Sequence, residues 1–293
     1  MNPALINQEL ATTSRIMVLI ALTVYVISFL VLTVSLANRA KATKKEQTAS
    51  AIRVENFGLI LAGLATLIHG AGVLTRGIAA NRVPWANMYE FSISGAFVVS
   101  AIYLIALFFK DIRFIATFVI GFVVLVIGSA NTLFYVQVES LMPALQDYWL
   151  VIHVSVAILG TAFFTIAAAL AALLLIKSGK SKSKVLKVFP DVEKLEKLSY
   201  QFNVIGFILW TFTLIAGAIW ADKAWHRFWG WDTKEVWTFI IWTIYAAYLH
   251  ATTTRGWEGK KAAWLTLIGF SAVIFNFTIV NLFFKGLHVY SGL

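Results

Sequence analysis

The hydrophobic pattern of the chain consists of eight apolar runs separated by short polar stretches. At ~1.5 Å per residue, each run is long enough to cross about 30 Å of hydrocarbon as a helix, although the fourth is short. The pattern therefore predicts an all-α polytopic integral membrane protein with about eight transmembrane helices. The runs cover Ile16–Leu36, Phe57–Leu74, Phe91–Phe109, Phe114–Ser129, Trp149–Ile176, Gln201–Trp220, Val236–Thr252 and Ala262–Phe284.

The organisation of the chain is simple. No long linker, soluble domain or internal repeat interrupts the runs, so residues 1–293 are expected to form a single integral membrane domain. The first run lacks a small-residue cleavage site, and no cleavable signal is expected. Composition agrees with this class, since 60% of the residues are hydrophobic and only 13% are charged.

Lysine and arginine predict the orientation. If the N-terminus lies outside, 17 of the 24 basic residues fall in cytoplasmic loops, so both termini are expected on the outer (periplasmic or lumenal) side. The net charge of +10 mostly reflects this bias and requires no nucleic acid partner. The lysine-rich stretch 177–199 is interpreted as a solvated cytoplasmic loop rather than a dedicated lipid-binding patch.

The predicted outer face carries four polar segments, covering 75–90, 131–148, 221–235 and 285–293. One of them leads into an unusual stretch, WHRFWGWDTKEVW, at positions 225–237. If this stretch is helical, Trp225, Trp229 and Asp232 lie on one face at i, i+4 and i+7, and Trp231 flanks them.

A flat aromatic wall with polar groups at its rim suits a planar ligand with carboxylate tails, such as haem. Arg227, Lys223 or Arg82 would then meet the carboxylates. The alternative is an interfacial aromatic belt combined with helix caps. A belt accommodates the other interfacial tryptophans, namely Trp85, Trp149, Trp220 and Trp264.

The chain has no cysteine, which excludes disulfides, thiolate metal sites and a CxxCH haem attachment site of its own. Histidine is therefore the candidate iron ligand. His153 lies roughly 6 Å into the fifth run and His288 just past the outer end of the eighth. A shared bis-imidazole site is geometrically allowed, and two unrelated interfacial histidines are the alternative.

Two further histidines lie at other depths. His250 is near the inner end of the seventh run, roughly 20 Å below the outer surface, whereas His69 differs from it in depth by about 10 Å. Because axial ligands must approach one iron to about 2 Å, a shared site is disfavoured. His250 is either a structural residue or has a partner on another polypeptide, and a structural role is favoured for His69.

The stretch WHRFWGWDTKEVW, followed by IIWTIYAAYLH, resembles the tryptophan-rich WWD motif of the haem-handling membrane protein superfamily. More closely, it is similar to the CcsA/ResC family of system II cytochrome c biogenesis. Further resemblances are VPWANMYEF at 83–91, YWLVIHVS at 148–155 and GLHVY at 286–290. Together they run in the family's order and with its eight-helix layout.

The resemblance implies a role for each matching residue. His153 and His288 would be the axial ligands of an externally presented haem b. His250 would be a transmembrane haem ligand whose partner belongs to a CcsB/ResB-type subunit. Trp225, Trp229, Trp231 and Asp232, within an outer-face WWD segment at 221–237, would cradle the haem.

The implied activity is that of a cytochrome c synthase (haem lyase), which would move haem to the outer face and attach it to CxxCH of apocytochromes c in complex with the CcsB/ResB-type subunit. Thiol-reducing proteins and membrane lipid are the other expected partners. A system I haem chaperone or exporter, which passes haem on without ligation, is the alternative. A quinone-linked cytochrome b is disfavoured because paired histidines at matching depth are lacking.

Three positions depart from the family's pattern: His226 replaces glycine, Thr233 replaces proline and Val289 replaces serine. The resemblance also sets the expected location. A bacterial cytoplasmic membrane with the active face outward is favoured over a plastid thylakoid membrane.

Overall fold

The computed structural model describes residues 6–139, 145–179, 183–254, 256–284 and 286–288. Within these ranges all regular secondary structure is helical. The helices are α1 (Gln8–Lys41), α2 (Lys45–Ala80), α3 (Met88–Ala106), α4 (Ala116–Leu133), α5 (Tyr148–Lys177), α6 (Val192–Trp225), α7 (Thr233–Thr252), α8 (Lys260–Phe277) and α9 (Ile279–Phe283), with 3₁₀ turns at Arg113–Ile115 and Lys184–Val188.

Seven helical segments in the described residues are long and apolar enough to cross a membrane: α1, α2, α3, Arg113–Leu133, α5, α6 and Lys260–Phe283. The prediction of an all-helical, multi-pass membrane protein is therefore confirmed. The remaining predicted span coincides with α7, which is not among these seven segments and in which tryptophan, tyrosine and threonine interrupt the aliphatic residues. The count of eight spans, the orientation and the single domain over 1–293 stay predictions.

The described chain forms two compact units. The first contains α1, α2, α4 and α3 from Ser92 onward. Its main feature is a close antiparallel pairing of α1 and α2, in which Ser14, Ser28 and Ser35 donate hydrogen bonds to backbone carbonyls of α2. Small residues let helix backbones approach closely in a membrane, and interhelical hydrogen bonds hold them there.

His69 lies in this first unit and is fully buried. Its imidazole packs edge-on against Tyr25 of α1 and Phe97 of α3, with ring centroids 5.9 Å away in both cases. The Tyr25 hydroxyl in turn contacts the hydroxyls of Thr66 and Ser100. These contacts hold the ring in place, and the structural role that the sequence favours for His69 stays a prediction.

The second unit contains α5 to α9 and the segment Trp85–Phe91. At its centre, Phe164 of α5 stacks on Tyr245 of α7, with the ring centroids 3.7 Å apart and the planes 3° from parallel. Gly206 and Gly269 make room for these two rings, because a Cβ at either position would lie under 3.0 Å from ring carbons. This packing brings the start of α5, the end of α6 and the start of α7 to one end of the unit.

Candidate functional site

His153 lies in the second turn of α5, a helix that begins where the Asp147 side chain accepts the backbone N–H of Trp149. The imidazole is held against α6, with its Nδ1 2.9 Å from the carbonyl oxygen of Thr213. Because a carbonyl oxygen can only accept, Nδ1 must carry the proton, and the ring's lone pair then lies on Nε2. This is the tautomer in which histidine offers Nε2 to a metal.

α6 accommodates this imidazole at Gly217. A Cβ there would lie 2.7 Å from Cε1 and 2.9 Å from Nδ1 of His153, closer than side-chain atoms approach each other. One helical turn further on, Trp220 lies nearly parallel to the imidazole, with the planes 16° apart and the centroids 6.0 Å apart. A glycine and a tryptophan on one face of α6 thus define the space for His153.

The aromatic segment is not a continuous helix. α6 ends at Trp225, α7 begins at Thr233, and the residues between them form a loop. His226 and Trp231 have φ values of 56° and 58°, the left-handed region that interrupts a right-handed helix. The stretch is therefore not one helix, and Trp225, Trp229 and Asp232 do not lie on one helical face.

The backbone at position 226 has a conformation that favours glycine. Glycine adopts positive φ without the strain that a Cβ introduces, whereas the histidine here adopts it in an exposed position. The His226 backbone N–H still continues the hydrogen bonding of α6, since it donates to the carbonyl of Asp222 at 2.9 Å.

Glu235, in the first turn of α7, organises the loop. Its buried carboxylate accepts the backbone N–H groups of Gly230 and Asp232, at 2.8 and 3.0 Å, and forms an ion pair of 3.0 Å with Arg227. Arg227 folds across Gly230 so closely that any Cβ at that position would collide with the guanidinium. The loop conformation therefore depends on one acid, one arginine and one glycine.

Replacing Glu235 by alanine is expected to destabilise the loop. The change leaves two backbone N–H groups and a partly buried guanidinium without their acceptor, which corresponds to roughly 1–3 kcal/mol. Thermal unfolding of the detergent-solubilised chain should show a lower midpoint. Glu193→Ala is the matched control, because Glu193 is the exposed first-turn acid of α6. Equal midpoints for the two variants would contradict the role of Glu235.

Asp232 connects the loop with the distant segment 286–288. Its Oδ1 accepts the backbone N–H of Lys234 at 3.0 Å, which caps α7, and the Nδ1–H of His288 at 2.9 Å. Its Oδ2 accepts the backbone N–H of Leu287 at 2.8 Å. Burial alone would raise the pKa of Asp232. This pKa is instead lowered to about 2 by the hydrogen bonds from His288 and Lys234, by the charge of His288 and by the hydrogen bond from Leu287. The carboxylate is therefore ionised.

His288 is held by this carboxylate and by two tryptophans. Its imidazole makes edge-on contacts with Trp220 and Trp225, with centroid distances of 5.4 and 4.8 Å. Because an ionised carboxylate accepts the Nδ1 proton, the lone pair of His288 in its neutral form, like that of His153, lies on Nε2.

The structure thus brings together five residues, His153, Trp220, Trp225, Asp232 and His288, which we call the histidine cluster. Trp220 is its centre, because both histidines and Trp225 contact this ring, which is only 1% exposed. His153 and His288 thus contact one ring of the second unit, and their expected role as haem ligands stays a prediction. Trp220, by contrast, is expected from the sequence only as part of an aromatic belt.

Trp229 and Trp231, the other two tryptophans expected to cradle haem, lie apart from this cluster in the structure. Trp229 and Trp231 contact each other edge-on at 5.7 Å, and their exposures are 36% and 76%. Trp229 also contacts Phe239 of α7. Within the described part of the chain, these ring contacts involve neither histidine of the cluster, and the expected role of the two tryptophans in cradling haem stays a prediction.

The remaining candidates occupy other places. One Nη of Arg227 is used by Glu235, and Arg82 lies in the first unit, where its Nη1 donates to the carbonyl of Val83 at 3.3 Å. His250 is exposed near the far end of α7, roughly 25 Å along the helix from Asp232. Its exposure is compatible with a ligand from another polypeptide, and its role stays a prediction.

The donor set fits haem better than a bare metal ion. Among the described residues no group of three or more histidine, cysteine, aspartate or glutamate side chains could hold a metal ion. Two imidazoles that each use Nδ1 for a hydrogen bond suit an iron whose other four ligands come from a porphyrin. The tryptophans beside them supply the flat apolar surface that such a ring requires.

A multi-pass membrane protein with paired histidines beside a tryptophan-rich loop is the class that the fold and site define. Comparison with protein families makes the class more specific, because residues 85–288 match the model of the cytochrome C assembly protein family. The chain belongs to this family. The matched region begins after α2 and contains the whole histidine cluster.

Curated relatives carry the name cytochrome c biogenesis protein CcsA. The protein from Guillardia theta is 36% identical over 244 residues, covering 75% of this chain and 80% of the relative. That from Chlamydomonas reinhardtii is 33% identical over 239 residues, covering 79% and 67%. That from a strain of Prochlorococcus marinus is 39% identical over 179 residues, and the matched region covers 52% of this chain and only 57% of the relative's length.

Among solved structures, the cytochrome c haem lyase CcmF has a similar fold, with a TM-score of 0.67. The similarity covers 90% of this chain and 46% of that protein, at 15% sequence identity. At this identity the likeness concerns the fold alone.

Proposed function

We propose that the chain is the haem-handling subunit of a system II cytochrome c synthase, and that haem b is its cargo. The observation that carries the proposal is the histidine cluster. His153 and His288 contact the same tryptophan, and each uses Nδ1 for a hydrogen bond that directs the lone pair to Nε2. Membership of the cytochrome C assembly family supports the same activity.

In this function the protein positions its cargo and supplies no nucleophile. His153 and His288 would hold the iron, and Trp220 and Trp225 would offer apolar surface to the porphyrin. Haem brings two vinyl groups, and an apocytochrome brings the cysteines of CxxCH. In each attachment the sulfur bonds to one vinyl carbon and the thiol hydrogen passes to the other, so no oxidant is consumed. The substrate's histidine then displaces one of the two imidazoles.

The absence of cysteine from the chain agrees with this role, because the carrier cannot become attached to its own cargo. The substrate's thiols must be reduced, which requires separate thiol-reducing proteins. His250, on the exposed surface of α7, would bind haem together with a histidine of a CcsB/ResB-type subunit before the haem reaches the histidine cluster. The active face would point out of a bacterial cytoplasmic membrane or into a thylakoid lumen.

The test is the absorption spectrum of the full chain purified with its CcsB/ResB-type partner. The wild type is expected to show low-spin bis-histidine haem. His153→Ala and His288→Ala should each remove or weaken the low-spin bands, and added imidazole should restore them. His250→Ala should reduce the total haem that arrives at the cluster.

The matched control is His226→Gly, which removes an exposed histidine of the same loop and leaves glycine in a left-handed conformation that suits it. This variant should keep the wild-type spectrum. If low-spin haem survives both His153→Ala and His288→Ala, the assignment of the axial ligands is wrong.

Ligation itself needs a second readout, which is the haem that remains covalently bound to a co-expressed apocytochrome after denaturation. Covalent haem on the wild-type CxxCH substrate, and none on an AxxAH substrate, would support the synthase. Low-spin haem on the chain together with transfer but no covalent product would instead identify a chaperone or exporter.

A further inference from the structure

We propose that Asp232 is a positioning residue for His288: its carboxylate fixes the imidazole in the Nδ1–H tautomer and directs Nε2 toward the haem iron. The proposal rests on the proposed function and deepens it. It gives Asp232 a role distinct from the haem contact that the family resemblance implies, because Asp232 would act through His288 and not on the porphyrin.

The hydrogen bonds of Asp232 support this role. Both carboxylate oxygens are engaged by the chain itself, Oδ1 by Lys234 and His288 and Oδ2 by Leu287. The side chain of Asp232 is only 7% exposed, and that of His288 only 15%. Asp232 thus faces the segment that carries the histidine.

The backbone of that segment is adapted to the carboxylate. Gly286 approaches Asp232 so closely that any Cβ at position 286 would collide with Oδ2. With the Leu287 N–H on the same oxygen, Asp232 fixes the main chain just before His288 as well as its ring. Two contacts on consecutive residues restrain both the position and the rotation of the imidazole.

A carboxylate bonded to Nδ1 has a chemical effect on the other ring nitrogen. Histidines that bind metals commonly donate the distal N–H to a carboxylate or carbonyl, which sets the tautomer and raises the basicity of the ligating nitrogen. The cluster contains one example of each, since His153 uses the Thr213 carbonyl and His288 uses the Asp232 carboxylate. His288 is therefore expected to be the more electron-donating ligand.

The test compares Asp232→Asn and Asp232→Ala with the same changes at Asp147. Asp147 also caps a helix of this unit, because it accepts the Trp149 N–H at the start of α5. Asparagine still caps a helix, but it has one oxygen fewer to accept with and no charge. Replacing either aspartate therefore alters a helix cap, whereas only the Asp232 variants also alter a contact with His288.

The first readout needs no haem. Nitrogen chemical shifts of the ¹⁵N-histidine-labelled, haem-free chain report which ring nitrogen carries the proton, at a pH above the range in which imidazole titrates. The His288 signals are assigned by their absence in His288→Ala. The wild type and both Asp147 variants should show the Nδ1–H tautomer, and both Asp232 variants should lose this preference. An unchanged tautomer in Asp232→Ala would overturn the proposal.

The second readout is haem binding by the full chain with its partner. Removing a carboxylate that supports a ligating histidine typically weakens metal binding ~10–100-fold, and this loss is expected for Asp232→Asn. The reduction potential of the remaining haem should rise, because the neutral amide leaves less electron density on the ligand. The Asp147 variants should change neither value.

These readouts separate the two proposals. A wild type that never binds haem would refute the proposed function, while the nitrogen shifts would still decide whether Asp232 sets the tautomer of His288. If Asp232→Asn binds haem with the same affinity and reduction potential as the wild type, the positioning role is wrong and the proposed function still stands.

Discussion

Replacing Gly217 by alanine is expected to remove low-spin haem as effectively as replacing His153 itself. The new methyl carbon would lie 2.7 Å from Cε1 and 2.9 Å from Nδ1 of His153, so the imidazole must leave its place on the Thr213 carbonyl. α6 itself should gain, because alanine in a helix is favoured over glycine by roughly 0.5–1 kcal/mol. This gain offsets part of the cost of displacing the imidazole, so haem binding should fall far more than stability.

The measurements are the absorption spectrum of the chain purified with its partner and the thermal midpoint of the haem-free chain. Gly128→Ala is the control, since nothing lies within 4 Å of a Cβ at that position of α4. The control should share the gain in helix stability and keep the haem. A wild-type spectrum from Gly217→Ala would mean that His153 binds iron from a different rotamer, or not at all.

The sequence predicts most of the helices, and it predicts that His153 and His288 lie near the same membrane surface. Apolar runs determine where helices can cross a membrane, and helix length places His153 and His288 near one level. Local pattern does not give contacts between positions 56 residues apart, such as the pair formed by Asp232 and His288. That pair depends on how α7 and the segment 286–288 meet.

The spacing of the tryptophans in the aromatic segment is compatible with a helical face, but the structure has a loop there. Two features outweigh this periodicity. Glu235 binds the N–H groups of Gly230 and Asp232, and the backbone at His226 and Trp231 is left-handed. A capping box formed by Asp232 and Glu235 is readable from DTKE, and it would have placed a helix start at Thr233.

The central position of Trp220 escapes sequence reasoning for a different reason. A tryptophan near the end of an apolar run is typical of an interfacial belt, and nothing in the sequence separates Trp220 from Trp264 in this respect. In the structure the first is 1% exposed and contacts both histidines, whereas the second is 58% exposed. Only tertiary packing distinguishes a belt residue from the centre of a site.

The second large effect is therefore expected from Trp220→Ala. Truncating a fully buried tryptophan costs about 3–5 kcal/mol through lost contacts and the cavity that remains, so the thermal midpoint of the haem-free chain should fall clearly. Trp264→Ala is the matched control, and it should change the midpoint little because most of that ring is exposed. Low-spin haem should be lost in the first variant and kept in the second.

A double-mutant cycle tests whether Trp220 acts through the histidines or only fills space. If the tryptophan orients His153 and His288, then Trp220→Ala should weaken haem binding far less in a His153→Ala background than in the wild type, because the effects of residues in contact are not additive. Trp220→Ala should lower the thermal midpoint both in the wild type and in the His153→Ala background. Additive losses of haem affinity would contradict the orienting role and leave Trp220 as a packing residue, whose loss destabilises the unit without acting on the ligands.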